Sequence, residues 1–219
     1  MTRPILDPSS VDGLVGQIEV DRAPVELRNA KAYPDLSKLQ PGDLLLVSPL
    51  KRSLNARLII WAQGRVHREV DAQWMHAAIY LGDNALVEID GGGVKVSLLF
   101  KYAATHRMLF RRVIDASRTE VDQATGFRIA IAALKEFKRS YAFGNIVVTA
   151  YDCLLGRTQP ASSRAVRSSG SICSDFFNEV VFATCDRPAA PIDRLPIQPA
   201  DLSASKLMCD VVVPWSELI

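Results

Sequence analysis

Three side chains have the types and the order that suit nucleophilic chemistry: His76, Glu88 and Cys173. Cys173 follows a polar stretch rich in Ser and Arg and opens the apolar run CSDFFNEVVFATC. Phe177, Val180, Val181 and Thr184 recur at helical spacing, so the run predicts a buried helix with the thiol in its first turn. A thiol there meets unpaired backbone N–H groups and the positive end of the helix dipole. Such surroundings lower a cysteine pKa from ~8.5 into the range ~3.5–7.5. The same N–H groups suit an oxyanion. Position alone fits a small buried hydrophobe at a helix base equally well.

His76 lies among apolar neighbours in WMHAAIYLGD, where nothing adjacent accounts for an imidazole. His67 and His106 stand in the basic contexts RVHRE and THRM and read as surface residues. A Cys–His pair needs the imidazole within hydrogen-bond reach of the sulfur and a third polar group to hold it. Glu88, in ALVEIDG, is the natural third group, on a strand that follows the Gly82-Asp83-Asn84 turn. Facing side chains on such paired strands approach to ~4.5–5.5 Å. Asp90 has the same parity and competes for the role; its plainer reading is a turn aspartate before Gly91–Gly93. Cys153, Cys185 and Cys209 read as packing residues, and Arg164 and Arg167 as solvated loop charges near Cys173.

The elements that must position these groups follow from patterning. LQPGDLLLVSP predicts a strand over Leu44–Val47, stopped by Pro49. SLNARLIIWAQGRVH predicts a helix capped by Ser53, with Leu54, Leu58, Ile59 and Trp61 on a core-packing face. Further strands are expected around Ala78–Tyr80 and over Ala85–Ile89, Val94–Leu98 and 107–115. A helix is expected over 120–139, its apolar stripe made of Ala124, Phe127, Ile131, Leu134 and Phe137. Residues 156–171 read as a loop. Asp201 or Ser203 caps a late helix, and Val211–Val213 is the expected last strand. Strands gather before residue 115 with helices flanking them, so the fold class is α+β. Residues 1–37 read as a lead-in and 38–219 as the domain proper.

The chain of 219 residues is long enough to bury a core. Hydrophobic residues make up 48% and charged residues 23%, the balance of a globular protein. A net charge of +2 without a Lys/Arg run leaves no electrostatic footprint for nucleic acid. No apolar stretch reaches the ~20 residues of a transmembrane helix. The N-terminus, with Asp7, Asp12 and Glu19, lacks the apolar core of a secretory signal. The expected location is therefore cytoplasmic as made, with any export by a signal-independent route. No CxxC pair occurs and the three His lack zinc-ligand spacing to the Cys, so neither a metal nor a cofactor is expected.

The succession PGDLLLVSP, HAAIYLGDNALVEIDG, CSDFFNEVV and QPADLSAS resembles the permuted NlpC-like (YiiX-like) cysteine hydrolases of the papain-like superfamily, over roughly residues 38–210. The resemblance implies a circularly permuted papain-like fold. That is a small antiparallel β-barrel or sheet packed against helices, with the nucleophile at a helix N-terminus. It makes Cys173 the nucleophile, His76 its base and Glu88 the orienting group. Tyr141, in SYAFGN, matches an aromatic position before the catalytic helix, although Ala142 stands where the family often has Asp.

The implied activity runs through a thioester and cleaves amide bonds in bacterial cell-wall (peptidoglycan) peptides. The missing signal then suits an antibacterial effector, delivered by a secretion machine to a target cell's periplasm and matched by an immunity partner. Two alternatives remain open: an acyltransferase or lipid hydrolase using the same Cys–His pair on an acyl substrate, and a non-catalytic papain-like binding module.

Overall fold

The computed structural model describes residues 3–11, 13–18, 27, 30, 32–137, 140–141, 170–171, 173–191 and 196–218. In chain order the strands are β1 (Leu14–Ile18), β2 (Ala32–Pro34), β3 (Leu44–Pro49), β4 (His76–Gly82), β5 (Ala85–Asp90), β6 (Gly93–Leu98), β7 (His106–Val113), β8 (Ser140–Tyr141), β9 (Gly170–Ser171), β10 (Met208–Val211) and β11 (Trp215–Leu218). The helices are α1 (Leu54–Gly64), α2 (Glu69–Ala72), α3 (Phe100–Ala103), α4 (Gln123–Lys135), α5 (Cys173–Cys185) and α6 (Pro199–Ala204).

Six antiparallel strands form the central sheet in the order β10-β7-β3-β4-β5-β6. The class is α+β. Of the two expected forms, barrel or sheet, the structure takes the sheet. Among the described residues β10 joins at β7 and not at β6, so β6 remains an edge and no barrel closes. The hairpin joining β4 to β5 turns on Asp83 and Asn84, both at positive φ (45° and 66°). This is the backbone that a tight two-residue hairpin needs and that Asn and Asp tolerate.

Strand alternation gives the sheet two buried faces. On one, Leu44, Leu46, Ala77, Ile79, Val87 and Ile89 pack with Phe176, Phe177 and Val180 of α5 and with Ile129 and Ala133 of α4. On the other, Leu45, Val47, Ala78, Tyr80 and Leu86 pack with Leu99, Tyr102 and Trp215. Leu6, Leu27, Ala32 and Tyr33, all before residue 38, join this second layer. Beside β11, β1 runs parallel and β2 antiparallel, and Leu6 bridges to Met108.

Two helices turn a different face inward than their large apolar residues predict. In α4 the buried residues are Gly126, Ile129, Ala130 and Ala133, whereas Phe127, Ile131 and Phe137 are half-exposed. The cause is a close backbone approach: a Cβ on Gly126 would lie 2.2 Å from the Pro41 carbonyl oxygen. The helix sits that near the sheet only through its small residues. In α1, capped by Ser53 as expected, Ala56, Ala62 and Gln63 are buried while Leu54, Leu58 and Trp61 face outward. The Gln63 amide donates to the carbonyls of Ala72 (3.0 Å) and Trp74 (2.9 Å), which ties that polar residue inside.

Three smaller expectations are also corrected. Gln198 caps α6, with Pro199 opening the helix and Asp201 closing a capping box. The last strands are β10 and β11 rather than Val211–Val213, because Pro214 interrupts the chain between them. Gly170 and Ser171, expected in a loop, pair with Ser140 and Tyr141. Cys153, Arg164, Arg167 and the stretch 156–169 lie outside the described residues.

Candidate functional site

The structure brings His76, Glu88 and Cys173 together at one end of the sheet. His76 is the first residue of β4, opposite Val47 of β3. Its Nε2 lies 3.0 Å from Oε2 of Glu88. The β4–β5 register pairs Glu88 with Ala78, so Glu88 reaches His76 diagonally along the same face. Asp90, the competitor, is turned to its own hairpin: it accepts from the Gly92 N–H at 3.0 Å and from Lys95.

Cys173 arrives from the opposite layer of the sheet. It opens α5, is 5% exposed, and belongs to the core cluster around Phe176 and Phe177. Its sulfur faces His76 and the backbone N–H groups of Ala77 and Ser174. With Nε2 of the ring committed to Glu88, Nδ1 is left for the thiol. The pair therefore bridges the two faces where β4 begins. Polar side chains seat this end of α5: Asp175 accepts from the Ile197 N–H at 2.7 Å, and the Ser174 hydroxyl donates to the Ile197 carbonyl at 2.6 Å. Asn178 accepts from the N–H groups of Ala189 (2.8 Å) and Ala190 (2.9 Å).

Three neighbours escape the sequence reading. Lys101 and Tyr102, from the single turn of α3, both bond Glu88, the tyrosine hydroxyl donating at 2.7 Å. His106 is no free surface residue: its ring packs edge-on against Tyr102 with centroids 5.0 Å apart. Glu88, Asp90, Lys101, Tyr102 and His106 line a cavity of about 300 Å³ with Val47, Pro49, Met75 and His76. Nothing in FKYAATH beyond a Lys and a Tyr in a short amphipathic stretch marks these residues, because their meeting with Glu88 depends on how α3 folds over the sheet. His67, the other expected surface histidine, is held by Asp201 at 3.1 Å. Tyr141 pairs through its backbone with Ser171.

Electrostatics separates the three groups. Burial disfavours charge on each of them. The His76 charge beside Cys173, with the Ala77 and Ser174 N–H groups, outweighs burial and lowers the thiol pKa below its ordinary value. Burial also pulls His76 down, but the sulfur and the Glu88 carboxylate push it up to about 10. Glu88, 1% exposed, is held well below the usual carboxylate range by His76, Lys101 and Tyr102 against burial. His106 is lowered by burial and by the charges of His76 and Lys101. The arrangement can hold a thiolate–imidazolium pair oriented by a carboxylate. Among the described residues, no three His, Cys, Asp or Glu converge as metal ligands.

Against known proteins, neither a protein-family model nor a curated protein sequence matches this chain. Among solved structures, metalloprotein YiiX from Escherichia coli O157:H7, of domain family DUF1105, is similar. The TM-score is 0.55 at 14% identity, over 80% of this chain and 97% of that one. At that identity the likeness is one of fold: this chain has a YiiX-like α+β architecture.

Proposed function

We propose that the chain is a cysteine hydrolase of circularly permuted papain-like type, with Cys173 as nucleophile, His76 as acid and base, and Glu88 as the orienting group. The observation that carries this reading is the His76–Glu88 hydrogen bond of 3.0 Å set beside Cys173 at a helix N-terminus, where the imidazole favours the thiolate. Burial without such partners shifts a thiol the other way, as at the half-buried Cys185 and Cys209. The YiiX-like α+β fold agrees with the fold class this reading expects.

In the proposed reaction the Cys173 thiolate attacks the carbonyl carbon of an amide. The C–S bond forms as the carbonyl electrons move onto oxygen, where the Cys173 N–H donates. Collapse breaks the C–N bond, and His76 gives its proton to the departing amine. His76 then takes a proton from water, whose oxygen attacks the thioester. The acid leaves and the thiolate–imidazolium pair returns. Division into two steps through a covalent intermediate is the advantage of an activated thiol.

The proposed substrates are cell-wall peptides, reached in a target cell's periplasm as an antibacterial effector. Purified sacculi incubated with the protein should yield new amine termini by mass spectrometry, and Cys173→Ala should yield none. Turnover by a folded Cys173→Ala protein defeats the mechanism. Release of fatty acid from lipid esters without peptide products would move the same pair to acyl chemistry. Absence of both products, with a Cys173 no more reactive than Cys185, leaves a binding module.

A further inference from the structure

We propose that α1 is an interfacial anchor that seats this protein on an anionic lipid bilayer, with the His76 cavity at its edge. The helix is turned inside out relative to an ordinary surface helix. Its small or polar residues Ala56, Ala62 and Gln63 face the protein, while Leu54, Leu58 and Trp61 are 76%, 64% and 48% exposed. Spaced at i, i+4 and i+7, these side chains form one stripe. A single exposed leucine needs no explanation, but a contiguous large apolar stripe marks an interaction surface.

Charge identifies the occupant. Between Asp43 and Glu69 the chain carries Lys51, Arg52, Arg57, Arg65 and Arg68 and no acidic residue. The 219-residue chain has a net charge of only +2, so this positive charge gathers on α1 and its flanks, with Arg57 inside the helix, Arg65 at its C-cap and Arg68 beyond it paired with Asp71. All five basic residues are exposed, and the Arg65 guanidinium lies over the Trp61 ring at 5.1 Å from its centroid. Leucine and tryptophan on one face with basic residues flanking them suit a helix lying in the headgroup layer. Arginine stems can pack on the apolar stripe while their heads reach lipid phosphates. The helix cannot cross the bilayer: its 11 residues span ~16 Å against a hydrocarbon core of ~30 Å.

The anchor begins at the rim of the cavity. Pro49 lines that cavity and pairs with His106, and the Leu50 N–H bonds the Thr105 carbonyl at 3.0 Å. Ser53 then caps α1. A protein seated through α1 holds the His76 cavity close to the lipid surface. The inference goes beyond the hydrolase reading, and its test requires no turnover.

The 219-residue protein is mixed with vesicles of phosphatidylcholine and phosphatidylglycerol at 70:30, or of phosphatidylcholine alone. Binding is read by co-sedimentation and by tryptophan emission. Trp74 and Trp215 are buried, so a blue shift on lipid addition reports Trp61. The expected result is binding and a blue shift with the anionic vesicles only, weakened by salt. Leu58→Glu and Arg57→Glu should each lower the partition coefficient at least about tenfold, with melting temperature and Cys173 alkylation rate unchanged. No binding to anionic vesicles, equal binding to neutral ones, or unaltered binding by both variants overturns the proposal. A wild-type dimer that Leu58→Glu dissociates, without vesicle binding, overturns it in favour of a second copy of the chain.

Discussion

Helix α5 carries a cysteine at each end, and the two ends give one residue type opposite properties. At the N-terminal end, Cys173 receives N–H groups from Ala77 and Ser174 and lies against His76, and its pKa falls. At the C-terminal end, Cys185 is half-buried, and burial pushes its thiol up although Arg128 and Arg187 stand near. The anchoring differs as well. Asp175, Ser174 and Asn178 fasten the first turns to Ile197, Ala189 and Ala190. The far end closes with Asp186 at a positive φ of 54° and the Thr184 hydroxyl bonded back to Val180. Thiol reactivity here is set by which helix end holds the sulfur and by what faces it, since the dipole and free N–H groups favour a thiolate only at the N-terminus.

The contrast can be broken most severely at the imidazole. At pH 6.5, Cys173 should react with iodoacetamide about a hundredfold faster than Cys185 or Cys209, because rate follows the thiolate fraction. His76→Ala should erase that lead, as read by mass spectrometry of alkylated peptides. A lead that survives would assign the low pKa to the helix end alone. The advantage should shrink as pH rises past ~8.5, where ordinary thiols ionise too. Turnover that needs the imidazolium should fall on the alkaline side near pH 10, where His76 loses its proton.

Glu88→Gln tests the third member with a smaller effect. Without the carboxylate, His76 titrates lower, and the alkaline limb of a pH–rate profile should move toward neutral pH. A loss of about tenfold in rate is expected for a positioning group of this kind. The carboxylate also links pH to stability. The folded-state pKa of Glu88 is depressed, so its stabilising contribution is present above its unfolded pKa and lost as pH falls through the folded value. His76 behaves in the opposite sense. Raised to about 10, it contributes fully below its unfolded pKa of ~6.5 and loses that contribution as pH climbs through 10. Urea melts of the wild type and of His76→Ala between pH 7 and 10.5 should therefore converge.

The smallest effect sharpens the anchoring difference. Asp175→Ala leaves the buried Ile197 N–H without its acceptor, which costs about 1–3 kcal/mol. It should also slow Cys173 alkylation as the first turn loosens. Cys185→Ala, by contrast, should leave that rate unchanged. Equal slowing by both substitutions would mean that the two ends are coupled, and that the seat of the first turn is not what holds the thiol.

Much of the local order is legible in the chain itself. Leu44–Val47 followed by Pro49, the Gly82-Asp83-Asn84 turn, the Ser53 cap and the apolar run after Cys173 each carry a direct local cause, and each lies where its pattern places it. The apolar stripes of α1 and α4 do not mark their buried faces, because periodicity finds a helix's large residues without saying which face a neighbour can approach. Gly126 against Pro41, and Gln63 between Ala72 and Trp74, decided the matter through close contact and hydrogen bonding.

By itself, then, the sequence determined the strands and helices that carry His76, Glu88 and Cys173 and the order of those residues along them, since turn chemistry, capping and periodicity are properties of neighbouring residues. Only the tertiary structure decided which carboxylate meets the imidazole. Strand parity left Glu88 and Asp90 equivalent, and the pairing of Glu88 with Ala78, together with the engagement of Asp90 by Gly92 and Lys95, separated them. It alone recruited Lys101, Tyr102 and His106, and it alone set Cys173 against His76 across two faces of the sheet. Those contacts join residues far apart in the chain, and a distance of that kind is fixed by packing, which no local pattern encodes.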